Sequence, residues 1–327
     1  MANANRNTNI DLYRIVLMLG ICLLHCVHQG IYQCRPLTMS LLFCVDGFVF
    51  ISGWCGIRFS WGKVLRLHGV AAYAAIVCAL YSMAGGNCST GAFLQTAFNL
   101  WKGFWFLHAY VLLMLVSPCI NAAFESLSEG KLFSVALPLL AIPFCWSFAH
   151  DVPLLRRFVP DTEGLSAYSG LTFIGVYVAG RLARRFESRI VPNVKILLIS
   201  ISALTVICAL GFGRYHSPFA MLLAACWFFI FKLASPQLLH RIVVFMIPSV
   251  FPIYLFHSHG AVGFPVIRQI QEFLSRMTVG NDSSCLKVIA VWMSSAIIIF
   301  AGGLLLDLPR RMVVCLVARL TGRKVLR

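Results

Sequence analysis

The chain has 327 residues, of which 60% are hydrophobic and 12% charged, and its mean hydropathy is +0.85. This composition excludes an ordinary soluble globular protein and is typical of polytopic membrane proteins. The formal net charge of +16 suits contact with membrane lipids that carry anionic headgroups, and no basic stretch interleaved with aromatic residues predicts a nucleic-acid partner.

Ten apolar segments are long enough to cross a bilayer and predict an all-α integral membrane bundle of about ten transmembrane helices. The segments are 10–27, 37–59, 64–83, 104–121, 132–149, 166–183, 194–212, 218–233, 242–262 and 287–308. We expect one transmembrane domain over residues 1–309, followed by a short basic cytoplasmic tail at 310–327.

The distribution of Lys and Arg predicts the orientation of the bundle. With the N-terminus inside, the cytoplasmic segments carry eighteen of these residues and the outer segments carry eight. Cytoplasmic loops of membrane proteins are enriched in Lys and Arg, so we expect both termini in the cytoplasm.

The first apolar segment carries two ionisable residues, Arg14 and His25, that lie eleven positions apart. At 100° per residue they differ by about 20° in azimuth and by about 16 Å along one helix face. Ionisable groups inside hydrocarbon usually mark a functional site that faces the bundle interior. The alternative is that Arg14 extends to the interface and His25 only packs between helices.

The second apolar segment contains an acid, Asp46, with apolar residues on either side. A carboxyl group at this depth must be protonated or paired, and Arg14 and His25 are candidate partners. The small residues Gly47 and Gly53 allow another helix to approach closely. The alternative role for Asp46 is a structural hydrogen bond between helices.

The connection after the second segment is basic and contains Arg58, Lys63 and Arg66. Lys63 and Arg66 lie three residues apart, so on a helix they share a face and can bind a polyanion such as a nucleotide phosphate. The alternative is the ordinary positive charge of a cytoplasmic loop.

Four local patterns follow one another along the chain: Asp11-Leu12-Tyr13-Arg14 with His25, Val45-Asp46 with Phe48 and Ile51-Ser52-Gly53, Trp105-Phe106-Leu107-His108-Ala109-Tyr110 with Ser117-Pro118, and Tyr254-Leu255-Phe256-His257. Taken together, they resemble the acyltransferase-3 family of integral membrane enzymes that O-acylate extracytoplasmic glycans. The family's Arg-x-x-Arg after the second helix appears here as Lys63-Val64-Leu65-Arg66, in which Lys replaces the first Arg.

The resemblance implies substrates and a place for them. Acyl-CoA, usually acetyl-CoA, is the expected cytoplasmic donor, with no permanently bound cofactor, and a hydroxyl of an extracytoplasmic or lipid-linked glycan is the expected acceptor. The CoA nucleotide would lie near Arg58, Lys63 and Arg66. Family membership also implies a multi-pass protein of the cell membrane, either a bacterial inner membrane or a plasma membrane.

The resemblance further implies roles for the intramembrane residues. His25 is expected to be the general base for the acceptor hydroxyl or a transient acyl carrier. Arg14 would orient the donor or stabilise charge on the thioester oxygen, and Asp46 would fix the tautomer of His25 or pair with Arg14. Four further residues are expected to line the substrate path: Trp105, Tyr110, Tyr254 and His257.

Two further interpretations remain open at the level of sequence. A proton-coupled transporter or flippase of a polar or lipid-linked substrate would use Arg14, Asp46 and His25 as a proton relay. A glycosyltransferase is less favoured, because no loop carries a paired-acid motif for a metal-bound nucleotide. The thirteen cysteines show no Cys-x-x-Cys spacing, so we expect no metal site.

Overall fold

The computed structural model describes residues 7–84, 89–158, 170–214, 217–234, 239–258, 262–277 and 284–322. Over these ranges the chain is helical and forms no β-strand. The helices in chain order are α1 (Thr8–Gln29), α2 (Arg35–Leu41), α3 (Phe43–Cys55), α4 (Trp61–Met83), α5 (Thr90–Lys102), α6 (Trp105–Ser126), α7 (Glu129–Asp151), α8 (Pro153–Arg156), α9 (Gly170–Arg185), α10 (Val194–Ile207), α11 (Pro218–Leu233), α12 (His240–Met246), α13 (Val250–His257), α14 (Gly263–Met277) and α15 (Cys285–Leu320).

Eight helical segments among the described residues are long and apolar enough to cross a membrane. The other two predicted segments contain the 16-residue helices α9 and α11, and residues 159–169 before α9 lie outside the described ranges. The predicted all-α membrane fold is therefore confirmed, whereas the orientation of the termini stays a prediction. The eight segments are Thr8–Gln29, Arg35–Cys55, Trp61–Met83, Trp105–Ser126, Glu129–Trp146, Val194–Phe212, His240–His257 and Cys285–Leu320.

Helix α10 shows why the chain needs a membrane. Its side chains Ile196, Ile199 and Val206 are 63%, 69% and 58% exposed in the isolated chain. Soluble proteins rarely expose a contiguous apolar face of this kind, because water would have to solvate it. Lipid hydrocarbon can cover this face at no such cost.

Three predicted segments differ in detail from the helices that form. The second segment consists of α2 and α3 and ends at Cys55 rather than at residue 59. The ninth is interrupted by a 3₁₀ turn, Ile247–Ser249, where Pro248 lacks the N–H that a regular helix requires. The last helix continues through Pro309 to Leu320, so residues 310–320 extend it, and the expected division at residue 309 stays a prediction.

The chain divides into two compact units. The first comprises Met1–Cys34, Leu65–Phe104 and Pro236–Arg327, and the second comprises Arg35–Val64 and Trp105–Ser235. The first unit therefore contains α1, most of α4, α5 and α12 to α15. The second contains α2, α3 and α6 to α11.

Helix α1 is the central element of the first unit, where it packs against α12, α13, α14 and α15. Its side chains Tyr13, Leu17, Ile21 and Leu24 are buried. These positions recur every three or four residues, so one continuous face of α1 is covered by the later helices. Arg14 and His25 thus stand on a helix enclosed by protein along much of its surface.

Helices α3 and α9 pack closely against each other in the second unit, and two glycines permit this approach. A Cβ atom added at Gly53 would lie 2.2 Å from the carbonyl oxygen of Tyr177, and one at Gly180 would lie 2.3 Å from the carbonyl oxygen of Phe50. The hydrophobic effect does not drive helices together in lipid. Small residues at such positions let the helix backbones approach closely, so van der Waals packing can hold the helices together instead.

We expect Gly180→Val to lower the free energy of unfolding by about 1–3 kcal/mol, because the added side chain would collide with the backbone of α3. Thermal unfolding of the purified protein in detergent measures the change. Gly62→Ala in α4 is the matched control, since no atom lies within 4 Å of an added Cβ there. An unchanged melting temperature for Gly180→Val would contradict the proposed close contact.

Candidate active site

Helix α1 begins with a polar cap and an ion pair. The side chain of Asn7 accepts a hydrogen bond from the backbone N–H of Asn9 at 3.0 Å. One turn further, Arg14 Nη1 donates to Asp11 Oδ1 at 2.7 Å, and the Asp11 side chain is only 3% exposed. Acid and base three residues apart meet on a helix surface. Asp11 therefore balances the charge of Arg14, although the sequence analysis treated it only as part of a motif.

The predicted catalytic residue His25 meets His257 in the first unit. Their ring centroids lie 5.0 Å apart with a tilt of 56°, and Phe264 of α14 contacts the His25 ring edge-on at 5.5 Å. His257 is the last residue of α13 and is 4% exposed. Tyr254 lies one turn earlier on α13, with its ring 6.4 Å from that of His257. The structure thus brings together residues that are 232 positions apart in sequence.

The hydrogen bonds of His257 define its tautomer. Its Nδ1 lies 2.5 Å from the carbonyl oxygen of Ile253. A carbonyl oxygen only accepts, so Nδ1 carries the proton and Nε2 of the neutral ring is an acceptor. This Nε2 and Nδ1 of His25 are buried and have no hydrogen-bond partner among the described residues. Buried nitrogens without a partner are rare in native proteins and call for an explanation.

Helix α14 holds the end of α1 that carries His25. Gln271 Nε2 donates to the carbonyl of Cys26 at 3.0 Å, while its Oε1 accepts from the N–H of Ile31 at 2.8 Å. Arg268 Nε donates to the carbonyl of Gln29 at 2.8 Å. The last carbonyls of a helix have no partner within the helix, so these side chains cap α1.

Gln271 was missed in the sequence analysis, although a signal for it exists. It lies four residues after Ile267 and eight after Gly263, and all three are buried on one face of α14. A polar residue on such a face must find a buried partner. Gly263 also lets α14 begin against α13, because an added Cβ would lie 2.2 Å from the carbonyl oxygen of His257.

A further buried acid of the first unit is Asp307 of α15. This fully buried carboxylate accepts from Ser249 Oγ at 2.7 Å, and from Nε and Nη2 of Arg310 at 2.5 and 2.9 Å. Arg310 is one turn away on the same helix, whereas Ser249 belongs to the 3₁₀ turn before α13. The cluster joins α15 to the segment that carries His257.

The remaining predicted catalytic and donor-binding residues occupy other positions. Asp46 is fully buried in α3 of the second unit. Lys63 Nζ donates to the backbone carbonyl of Arg58 at 2.7 Å, and both side chains are exposed. Arg66 is exposed on α4 and belongs to the first unit.

The predicted path residues fall into both units. Trp105 and Tyr110 lie on α6 of the second unit, where Trp105 contacts Phe173 at 6.0 Å and the hydroxyls of Tyr110 and Ser52 are 3.2 Å apart. Tyr254 lies on α13 of the first unit, beside His257. Over the described part of the chain, no three His, Cys, Asp or Glu side chains are grouped so that they could hold a metal ion.

Comparison with known proteins gives one match. The acyltransferase-3 family model, described as an acyltransferase domain, matches residues 7–308 and so includes every predicted site residue. No curated protein and no solved structure is significantly similar to the chain.

Proposed function

The chain belongs to the acyltransferase-3 family, and we propose that it transfers an acetyl group from cytoplasmic acetyl-CoA to a glycan hydroxyl. Family membership establishes the broader class, a multi-pass membrane acyltransferase, together with eight helices among the described residues that are long and apolar enough to cross a membrane. The contact of His25 with His257 supports the proposed transfer reaction. The His25 ring has a buried nitrogen without a hydrogen-bond partner among the described residues, and imidazole in such surroundings suits proton transfer.

We assign the central step to His25. The hydroxyl oxygen of the acceptor attacks the thioester carbonyl carbon while His25 takes the hydroxyl proton as general base. The carbon–sulfur bond then breaks, and the thiolate of CoA receives that proton from the imidazolium. The products are an O-acetyl ester and CoA with a free thiol, so no other reactant is required. Recovery of acetyl attached to His25 itself would replace this single step by a two-step transfer.

In this proposal, basic residues bind the acyl donor, acetyl-CoA. Arg58, Lys63 and Arg66 are exposed cations that would bind the phosphates of CoA at the cytoplasmic face. Arg14 lies between that face and His25, about 16 Å before His25 along α1. Arg14 is paired with Asp11, and we propose that its guanidinium group, which carries five N–H donors, orients the thioester or stabilises its oxygen.

Asp46 and the aromatic residues complete the proposed site. Asp46 is fully buried, and the role proposed for its carboxyl group is to pair with Arg14 or to fix the tautomer of His25. Trp105, Tyr110 and Tyr254 would line the path of the acceptor, an extracytoplasmic or lipid-linked glycan. We propose a cell membrane, a bacterial inner membrane or a plasma membrane, as the location of the protein.

A transfer assay tests the proposal. Membranes that contain the protein are incubated with acetyl-CoA labelled in the acetyl group, and lipid-linked glycan, polysaccharide and peptidoglycan are then separated. We expect label in one fraction and release of one free CoA thiol for each ester formed. Membranes without the protein are the control.

A second measurement separates this proposal from the transporter interpretation. The purified protein is placed in lipid vesicles with a pH-sensitive dye inside, in the absence of acyl-CoA. The acyltransferase proposal would be overturned if these vesicles took up a glycan precursor together with protons and the transfer assay gave no labelled ester in any fraction. Labelled ester with no proton flux would support it.

A further inference from the structure

The geometry around His25 points to a positioning role for His257. We propose that Nε2 of His257 accepts a hydrogen bond from Nδ1–H of His25 and so leaves Nε2 of His25 as the free base. This inference rests on the proposed function, in which His25 takes the proton of the acceptor hydroxyl. It assigns to a second histidine the orienting role that a carboxylate has in many catalytic triads.

The first step of the argument is the tautomer of His257. Its Nδ1 lies 2.5 Å from the carbonyl oxygen of Ile253, one helical turn earlier on α13. Because that oxygen can only accept, the ring is held with its proton on Nδ1. The lone pair on Nε2 is then available to a donor, and the backbone of α13 fixes this state without help from any other side chain.

The second step is the match between two buried nitrogens that have no hydrogen-bond partner among the described residues. They are Nε2 of His257, which must accept, and Nδ1 of His25, which can carry a proton. An N–H···N hydrogen bond of about 2.9 Å between two imidazole rings places their centroids about 5 Å apart. The observed separation is 5.0 Å with a tilt of 56°. The observed separation of the rings is therefore compatible with a hydrogen bond that joins these two atoms and satisfies both.

The third step is the rigidity of the surroundings. Phe264 packs against His25 edge-on at 5.5 Å, and Gln271 holds the carbonyl of Cys26, the residue that follows His25. His257 ends α13 at a point where Gly263 brings α14 against its backbone. With both backbones fixed, the rings can meet only over a narrow range of orientations, as preorganised catalysis requires.

The resulting chain of hydrogen bonds has a consequence for catalysis. It runs from Nδ1–H of His25 to Nε2 of His257, and from Nδ1–H of His257 to the carbonyl of Ile253. When His25 takes a proton on Nε2, its Nδ1–H becomes a stronger donor, and the neutral His257 ring and the carbonyl dipole stabilise the new charge.

Two substitutions at His257 test the proposal. His257→Leu keeps an apolar side chain but removes the acceptor, and we expect it to lower kcat by about 10–100-fold while the KM for acetyl-CoA changes less than about twofold. His257→Gln places an amide oxygen near the position of Nε2 and should restore most of the lost kcat. Full kcat in His257→Leu, or equal loss in both variants, would overturn the proposal.

Nitrogen NMR of protein with ¹⁵N-labelled histidine provides a readout that a purely structural role would not change. The His25 signals are assigned by their loss in His25→Gln. We expect the Nδ1-protonated tautomer of His25 in the unmodified protein and in His257→Gln, and a change of tautomer in His257→Leu. An Nε2-protonated His25 in the unmodified protein would refute the hydrogen bond even if His257→Leu does not fold. This measurement needs no substrate, so it is separate from the outcome of the transfer assay.

Discussion

His25→Ala is expected to lower kcat for acetyl transfer by about 10²–10⁴-fold, the range over which a positioned general base contributes. The substitution removes the only ring that contacts both His257 and Phe264 in the described part of the chain. The fold should persist, because α1 is held by packing along its length and by the capping side chains of α14. The rate of labelled ester formation by equal amounts of purified protein measures the effect.

His28→Ala is the matched control for this experiment. His28 lies on the same helix three residues later, but its side chain is exposed. We expect its kcat to remain within about twofold of the unmodified protein, since exposed substitutions away from a site have small effects. If His25→Ala retained full activity while His28→Ala lost it, the catalytic assignment would be wrong.

Asp307→Ala is expected to lower the free energy of unfolding by about 3–5 kcal/mol, because it leaves the partly buried guanidinium of Arg310 without its carboxylate. The same substitution removes the acceptor of Ser249 Oγ, so α15 loses a connection to the turn before α13. Thermal unfolding in detergent measures the change. The expected loss of stability comes from leaving the charge of Arg310 without a partner. It is therefore larger than the net stabilisation that the intact pair of Asp307 and Arg310 provides.

The exposed pair of Glu129 and Arg189 provides the control for Asp307. Its side chains are 47% and 63% exposed, and the two make a bidentate contact with distances of 2.7 and 3.1 Å. Exposed ion pairs contribute about 0–1 kcal/mol, so Glu129→Gln should hardly change the melting temperature. Equal effects of Glu129→Gln and Asp307→Ala on the melting temperature would show that the contacts of Asp307 with Ser249 and Arg310 do not stabilise the fold.

The fold class could be predicted from sequence because hydropathy is a local property. Each of the ten predicted apolar segments contains at least one helix, and α5 forms where an apolar stretch is too short to span. The helix ends were less predictable. The 3₁₀ turn at Ile247–Ser249 and the extension of α15 to Leu320 depend on the hydrogen bonds and packing of those particular segments.

The candidate site shows a similar division. Arg14, His25 and Asp46 could be selected from sequence because ionisable residues are conspicuous in apolar helices. The pairing of Arg14 with Asp11 could also be read from the three-residue spacing. The contribution of Gln271 could not be predicted in the same way, since its partners at Cys26 and Ile31 are 245 and 240 residues away.

The sequence by itself determined that this protein is an all-α membrane protein and a member of an acyltransferase family, with ionisable residues along its first helix. These properties depend on composition, helical periodicity and short motifs, all of which are local. Only the tertiary structure decided that His257 meets His25 and that each of these rings has one buried nitrogen without a hydrogen-bond partner among the described residues. That contact depends on how α13 and α14 pack against α1, and no spacing within one helix specifies it.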